Sequence, residues 1–192
     1  MKTGRPCSSQ RARRGGFSLL EILLTVAVFG IAMAGLTGSQ LTSIALSRSN
    51  REASSALDAA QSVLEQIQDE VNQIQDEDDF KLIYARWNAR TDDDPPGFVS
   101  PGNAFDVRGL EPLGDDPDGR VGEVVFPGDG KVLREDLTDR LLGMPRDLDL
   151  DGETDAADHA EDYRILPVLV RVRWRSSSTA QQVQLVGTLA RR

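Results

Sequence analysis

The chain has 192 residues, 31 Asp+Glu against 22 Lys+Arg for a net charge of −9, one cysteine, one histidine and 39% hydrophobic residues. That length allows one modest globular domain plus an appendage. The lone Cys7 excludes an intrachain disulfide and a cysteine-based metal site. Outside the first 16 residues the chain is a polyanion, which repels nucleic acid, so nucleic-acid binding is not expected.

Residues 1–16 form a basic leader, with Lys2, Arg5, Arg11, Arg13 and Arg14 and no acid. Residues 17–40 follow as an apolar run in which Glu21 is the one charged residue. Phe17 to Leu36 as a helix measures about 30 Å, the hydrocarbon thickness of a bilayer. The basic flank precedes it and acidic sequence follows, so the positive-inside rule predicts a single pass with the N-terminus in the cytoplasm and the C-terminus outside. An ordinary secretory signal is one reading, with Ala32-Met33-Ala34 as a small-x-small cleavage site before Gly35. Glu21 argues against it, because a carboxylate in an apolar run is costly and serves nothing in a disposable signal.

Arg13-Arg14-Gly15-Gly16-Phe17-Ser18-Leu19-Leu20-Glu21, running into an uncharged stretch, resembles the processing site of type IV pilins and type II secretion pseudopilins. The resemblance implies cleavage after Gly16 by a prepilin peptidase, N-methylation of Phe17, and Glu21 as the carboxylate that sets filament assembly. Each has a physical reason. Glycine lets an extended backbone enter a tight cleft. Cleavage creates an ammonium at Phe17, and a carboxylate on a neighbouring subunit offsets its burial. Further implications are other pilin or pseudopilin subunits as partners, the bacterial inner membrane as first location, and a pilus or pseudopilus as destination.

Residues 41–79 are expected to continue as an amphipathic helix. Ala53, Ala56, Leu57, Ala60, Val63, Leu64, Ile67, Val71 and Ile74 advance by threes and fours. No proline intervenes between Pro6 and Pro95, so one helix from Phe17 to about Gln75 is predicted. Residues 80–163 read as an acidic, loop-rich head. Phe80 to Trp87 either extends the helix or opens the head, and Val121 to Phe126 reads as a short strand.

Within the head, Asp147, Asp149, Asp151, Asp155 and Asp158 occupy positions 1, 3, 5, 9 and 12 of a loop, with Gly152 at position 6. Glu153 at position 7 offers its backbone carbonyl. This is the spacing of an EF-hand calcium loop, and it resembles the dockerin form that ends in aspartate. Calcium, stiffening a head without disulfides, is the expected ion; a solvated acidic loop is the other reading. His159, next along, is expected at the surface. No nucleophile elbow, phosphate-cradling loop or dinucleotide fingerprint is present, so no enzyme is expected.

Residues 164–192 are predicted as a β-hairpin. Val168, Val170, Val172 and Trp174 would face the helix, with Leu169, Arg171, Arg173 and Arg175 outward. The expected fold class is α+β: a long N-terminal helix packed against a small C-terminal antiparallel sheet, a pilin-like layout. The Val-x-Val-x-Trp strand resembles the minor pilin and minor pseudopilin branch. The rival from another class is an exported or membrane-anchored calcium-binding module.

Overall fold

The computed structural model describes residues 18–74, 76–89, 102–116, 118–128, 130, 132–177 and 179–190. The predicted leader, Gly16 and Phe17 lie outside them. The chain divides into two compact units, Met1–Leu46 and Ser47–Arg192.

Helix α1, Leu19–Gln73, runs without interruption across the predicted length. In the first unit every described residue is exposed, among them Leu19, Leu23, Phe29, Ile31, Leu36 and Leu41. So broad an apolar surface is not one that water tolerates on a folded monomer. Three threonine hydroxyls in or beside this stretch are satisfied within the helix. Thr25, Thr37 and Thr42 donate to the carbonyls of Ile22, Met33 and Gly38 at 2.8, 2.9 and 3.1 Å. A helix placed in hydrocarbon must satisfy its polar groups internally.

In the second unit α1 buries Ala56, Ala60, Ile67 and Val71, and Val63, Leu64 and Ile74 pack partly against the core. Leu57, at the rim of the predicted stripe, stays 38% exposed. The amphipathic helix predicted to residue 79 is broken: α1 stops at Gln73 and α2 occupies Glu77–Asn88. Between them Asp76 is extended, at φ −103° and ψ 149°. The acids of 76–79 explain the break. They are unfavourable at a helix C-terminus and favourable at an N-terminus, so they start a new helix rather than prolong the old one. Helix α2 is tied back to α1 through Glu70, which accepts hydrogen bonds from Arg86 and, at 2.7 Å, from Trp87 Nε1.

Four strands, β1 (Ala104–Phe105), β2 (Gly122–Val125), β3 (Ile165–Ser176) and β4 (Thr179–Ala190), form one antiparallel sheet in the order β1-β2-β3-β4. The hairpin β3–β4 turns at Ser177, whose φ of 56° is left-handed. The face carrying Val170, Val172 and Trp174 packs with Ala56 and Ala60 of α1. Further along, Val168 and Leu189 join Ile67 and Val71. A Cβ on Gly187 would stand 3.0 Å from Leu64 Cδ1, so glycine there lets helix and strand approach closely.

The outward placement of Leu169 is corrected by the structure, in which it is fully buried. Segment 132–163 lies over this second face: Arg146 reaches Thr188 at 3.5 Å, and Leu133, Leu142, Met144 and Leu148 share a cluster with Leu169. Strand β3 is therefore buried on both faces in its first half and alternates only from Arg171 onward. There Arg171 faces Glu123 at 3.8 Å and Arg173 faces Asp116 at 3.1 Å.

Candidate functional site

Two places carry the charged residues that sequence reasoning singled out. The first is the start of α1. Glu21 lies in the first helical turn, where the N–H groups of Glu21 and Ile22 bond to the Ser18 carbonyl at 2.9 and 3.2 Å. A carboxylate here is favoured by the partial positive charge of the helix N-terminus. An 18-residue window of the same helix is apolar enough to cross a bilayer, and none of it is buried.

The second is the loop from Asp147 to Asp158. Asp147 accepts from the Leu150 N–H at 2.6 Å with Oδ1 and from the Gly152 N–H at 2.9 Å with Oδ2. Asp149 and Asp151 accept from the N–H groups two residues on, at 3.0 and 2.7 Å. Leu150 and Gly152 are left-handed, at φ 65° and 95°, and glycine at the second of these turns the chain without strain. One carboxylate oxygen each from Asp147, Asp149 and Asp151 comes within 4.8 Å of the others. These three are brought together.

The remaining three are not part of that group. Asp155 bonds the Ala157 N–H at 2.6 Å and His159 Nε2 at 3.2 Å. Asp158 accepts from the N–H groups of Leu133 and Ala160 at 3.0 and 3.1 Å. Glu153 is exposed. The oxygen-only donor set of Asp147, Asp149 and Asp151 suits a hard cation such as calcium. Asp158, at the twelfth position, is turned toward the 133 segment.

Beneath the loop lies a residue that sequence reasoning missed. Glu135 is 1% exposed; its Oε1 accepts from the N–H groups of Leu148 and Asp149, the latter at 3.3 Å, and its Oε2 from Asp155 at 3.4 Å. No periodic signal in the sequence marked it, because its partners are backbone N–H groups of residues 13 to 20 positions further along the chain.

His159 corrects the surface placement: it is 5% exposed. Its Nε2 faces Asp155 at 3.2 Å and Glu135 at 3.7 Å, and its Nδ1 faces Asp162 at 3.1 Å and Asp149 at 3.7 Å. With both ring nitrogens against carboxylates, neither is free to activate a hydroxyl. Burial disfavours the charged ring. The hydrogen bonds that the ring donates to Asp155 and Asp162, with the charges of Glu135 and Asp162, outweigh it, raising the pKa above 6.5. Burial pushes the Asp149 carboxyl up. At Asp147 burial is overcome by the Gly152 and Leu150 N–H groups, which hold its pKa down. Asp155 is held down by the Ala157 N–H and by His159.

A group whose pKa is higher folded than unfolded contributes stability that is complete below the unfolded value and lost as pH rises through the folded one. In calcium-free buffer the melting temperature is therefore expected to fall as pH rises above the ordinary imidazole range and through the raised folded value of His159, and His159→Gln to flatten that step. A wild-type curve flat or rising over that window contradicts an imidazolium in this position.

Residues 11–37 match the family model of the prokaryotic N-terminal methylation motif, the signature of type IV pilins and pseudopilins. The match ends within the apolar half of α1, so it speaks for N-terminal processing and not for the head. No curated protein and no solved structure matches the chain.

Proposed function

From a chain that carries the pilin and pseudopilin processing signature, we propose a minor pilin or minor pseudopilin, a structural subunit of a bacterial type IV pilus or type II secretion filament. It enters the inner membrane with its leader in the cytoplasm, is cut after Gly16 by a prepilin peptidase and is methylated on Phe17. The apolar half of α1 then passes from lipid into a filament core made of the same helices from other subunits. The observation that carries this is one of continuity. The methylation motif at 11–37 leads directly into a helix whose apolar half is exposed on every side, a surface that both lipid and neighbouring helices would cover.

The test is the intact mass and N-terminal sequence of the membrane-associated chain from cells that have their own prepilin peptidase. A start at Phe17 with one added methyl is expected. A start at Gly35 would replace this reading with an exported domain, and an intact Met1 in the presence of active peptidase would leave a simple anchor.

Calcium at Asp147, Asp149 and Asp151 is proposed as structural, supported by the loop spacing and by the approach of these three carboxylates. Sites of this kind in extracellular modules have Kd near ~10⁻⁴ M, so ~10 mM calcium would add about 2.7 kcal/mol. The melting temperature is expected to rise by several degrees over that in chelator, and Asp149→Ala to remove the difference. Coincident curves for the wild type would eliminate the ion.

A further inference from the structure

Glu135, Asp149 and His159 come from three separate stretches of the chain, yet an oxygen of each carboxylate and a nitrogen of the ring lie within 4.8 Å of one another. This group differs from the carboxylate trio of the loop above it in holding an imidazole and in being closed to solvent. The side chains of Glu135 and His159 are 1% and 7% exposed, and that of Asp149 17%. Backbone hydrogen bonds between the stretches fix the positions. The His159 N–H donates to the Leu133 carbonyl at 2.9 Å, the Arg146 N–H to the Glu135 carbonyl at 3.2 Å, and the Asp136 N–H to the Asp155 carbonyl at 3.1 Å. Donors held in place by their own backbone are what a metal site requires.

Hydrogen bonding inside the group leaves two approaches unexplained. Glu135 Oε2 stands 3.7 Å from His159 Nε2, and Asp149 Oδ2 stands 3.7 Å from Nδ1, both beyond hydrogen-bond reach. The N–H that Oε2 accepts, from Asp155, is long at 3.4 Å, so a fully buried carboxylate oxygen is aimed at the ring with little to satisfy it. Two ligands bound to one ion at about 2.1 Å each stand about 3.4 Å apart at the tetrahedral angle. The observed separations are close to that. Whichever ring nitrogen takes an ion, the other already has its carboxylate: Asp162 Oδ1 at 3.1 Å from Nδ1, or Asp155 Oδ1 at 3.2 Å from Nε2. A carboxylate on the second nitrogen is how metal-bound histidines are oriented. Charge favours an ion as well. Four carboxylates face the one ring; a proton on it offsets one negative charge, and a divalent cation offsets two.

We propose that Glu135, Asp149 and His159 form a metal site for a divalent transition ion of the zinc class. Imidazole nitrogen suits zinc and its first-row neighbours, whereas calcium takes oxygen donors throughout. Asp149 links this site to the loop above, because its Oδ1 accepts the Asp151 N–H while its Oδ2 faces the ring. The inference rests neither on the filament reading nor on calcium in the loop.

The probes are Co2+ and then Zn2+, added to the chelator-treated full chain in detergent, without a histidine tag. His159 is the sole histidine, so an imidazole ligand identifies itself. One Co2+ per chain is expected, with the strong visible absorption of a low-coordinate nitrogen-bearing site, displaced by Zn2+, and Zn2+ is expected to raise the melting temperature. His159→Gln should remove the cobalt bands and weaken zinc about tenfold or more. Asp151→Asn should lose the response to calcium and keep the response to zinc. Since His159→Gln also removes a buried partner, the wild type is read directly by pulsed electron paramagnetic resonance of bound Cu2+, where coupling to an imidazole nitrogen is expected. An ion bound without that coupling, or a cobalt spectrum that His159→Gln leaves unchanged, would place the metal among carboxylates alone and overturn the proposal. So would zinc binding lost in Asp151→Asn but kept in His159→Gln, or no stoichiometric binding at millimolar zinc. Zinc bound through His159 in a chain that calcium does not stabilise would sink the calcium reading and leave this site standing.

Discussion

Replacing Glu135 with alanine is expected to destabilise the Ser47–Arg192 unit by roughly 3–5 kcal/mol, the cost of removing one partner from a buried charged network. The carboxylate is 1% exposed and receives N–H groups from three residues of the acidic loop, Leu148, Asp149 and Asp155. Alanine leaves those donors without an acceptor, at about 1–3 kcal/mol for each that stays dry, and takes one carboxylate from beside the buried His159. Against a typical total stability of ~5–15 kcal/mol this is a large fraction, and a fall in melting temperature on the order of 10 °C follows. Glu135→Gln keeps one oxygen for Leu148 and Asp149 but places an NH2 where Asp155 donates, so about half the loss is expected. The check is thermal unfolding of the full chain in detergent, with and without calcium. An alanine variant that melts within about 2 °C of wild type would mean that the loop holds itself and that Glu135 is no clamp.

How Glu135 escaped the sequence reading shows where such reading stops. Local patterns were legible: of the helical stripe from Ala53 to Ile74 the structure buries Ala56, Ala60, Ile67 and Val71, and the alternation after Pro167 became β3 paired with β4. Both are periodic, and the period alone fixes which side is apolar. Leu169, His159 and Glu135 were misread or missed for a common reason. Each is buried in or under the irregular segment 132–163, whose course depends on contacts such as Arg146 with Thr188 and the His159 N–H with the Leu133 carbonyl at 2.9 Å. Such contacts join positions far apart in the chain and leave no period behind. The spacing of Asp147, Asp149 and Asp151 was readable because a single turn contains it. Asp155 and Asp158, whose partners include His159 and Leu133, were drawn away by tertiary contacts that the same turn does not encode.

At the other end of the chain, Glu21→Ala is expected to abolish incorporation into filaments while leaving membrane insertion and processing intact. On the proposed reading, cleavage after Gly16 creates an ammonium at Phe17 that stays charged when methylated. Moving that cation from the interface into a bundle of apolar helices requires a carboxylate beside it, because a buried charge stripped of its partner costs about 3–5 kcal/mol. At 1.4 kcal/mol per tenfold, this is a loss of roughly a hundredfold or more in subunit association. Insertion should not suffer, since alanine removes the one charge in the apolar run and makes the span more hydrophobic. Glu21→Gln separates charge from polarity: it keeps a hydrogen-bond acceptor at the same reach but cannot neutralise an ammonium, so it is expected to fail like alanine. Glu21→Asp keeps the charge on a shorter stem and should assemble in part. The measurement is the ratio of the chain in sheared filaments to that in the membrane, taken with the intact mass of the membrane fraction. Alanine-variant subunits that are processed at Phe17 and still enter filaments at the wild-type ratio would remove Glu21 from assembly. Accumulation in the membrane of processed, methylated and unincorporated chain would place the defect after the peptidase, at the step where helix packs against helix.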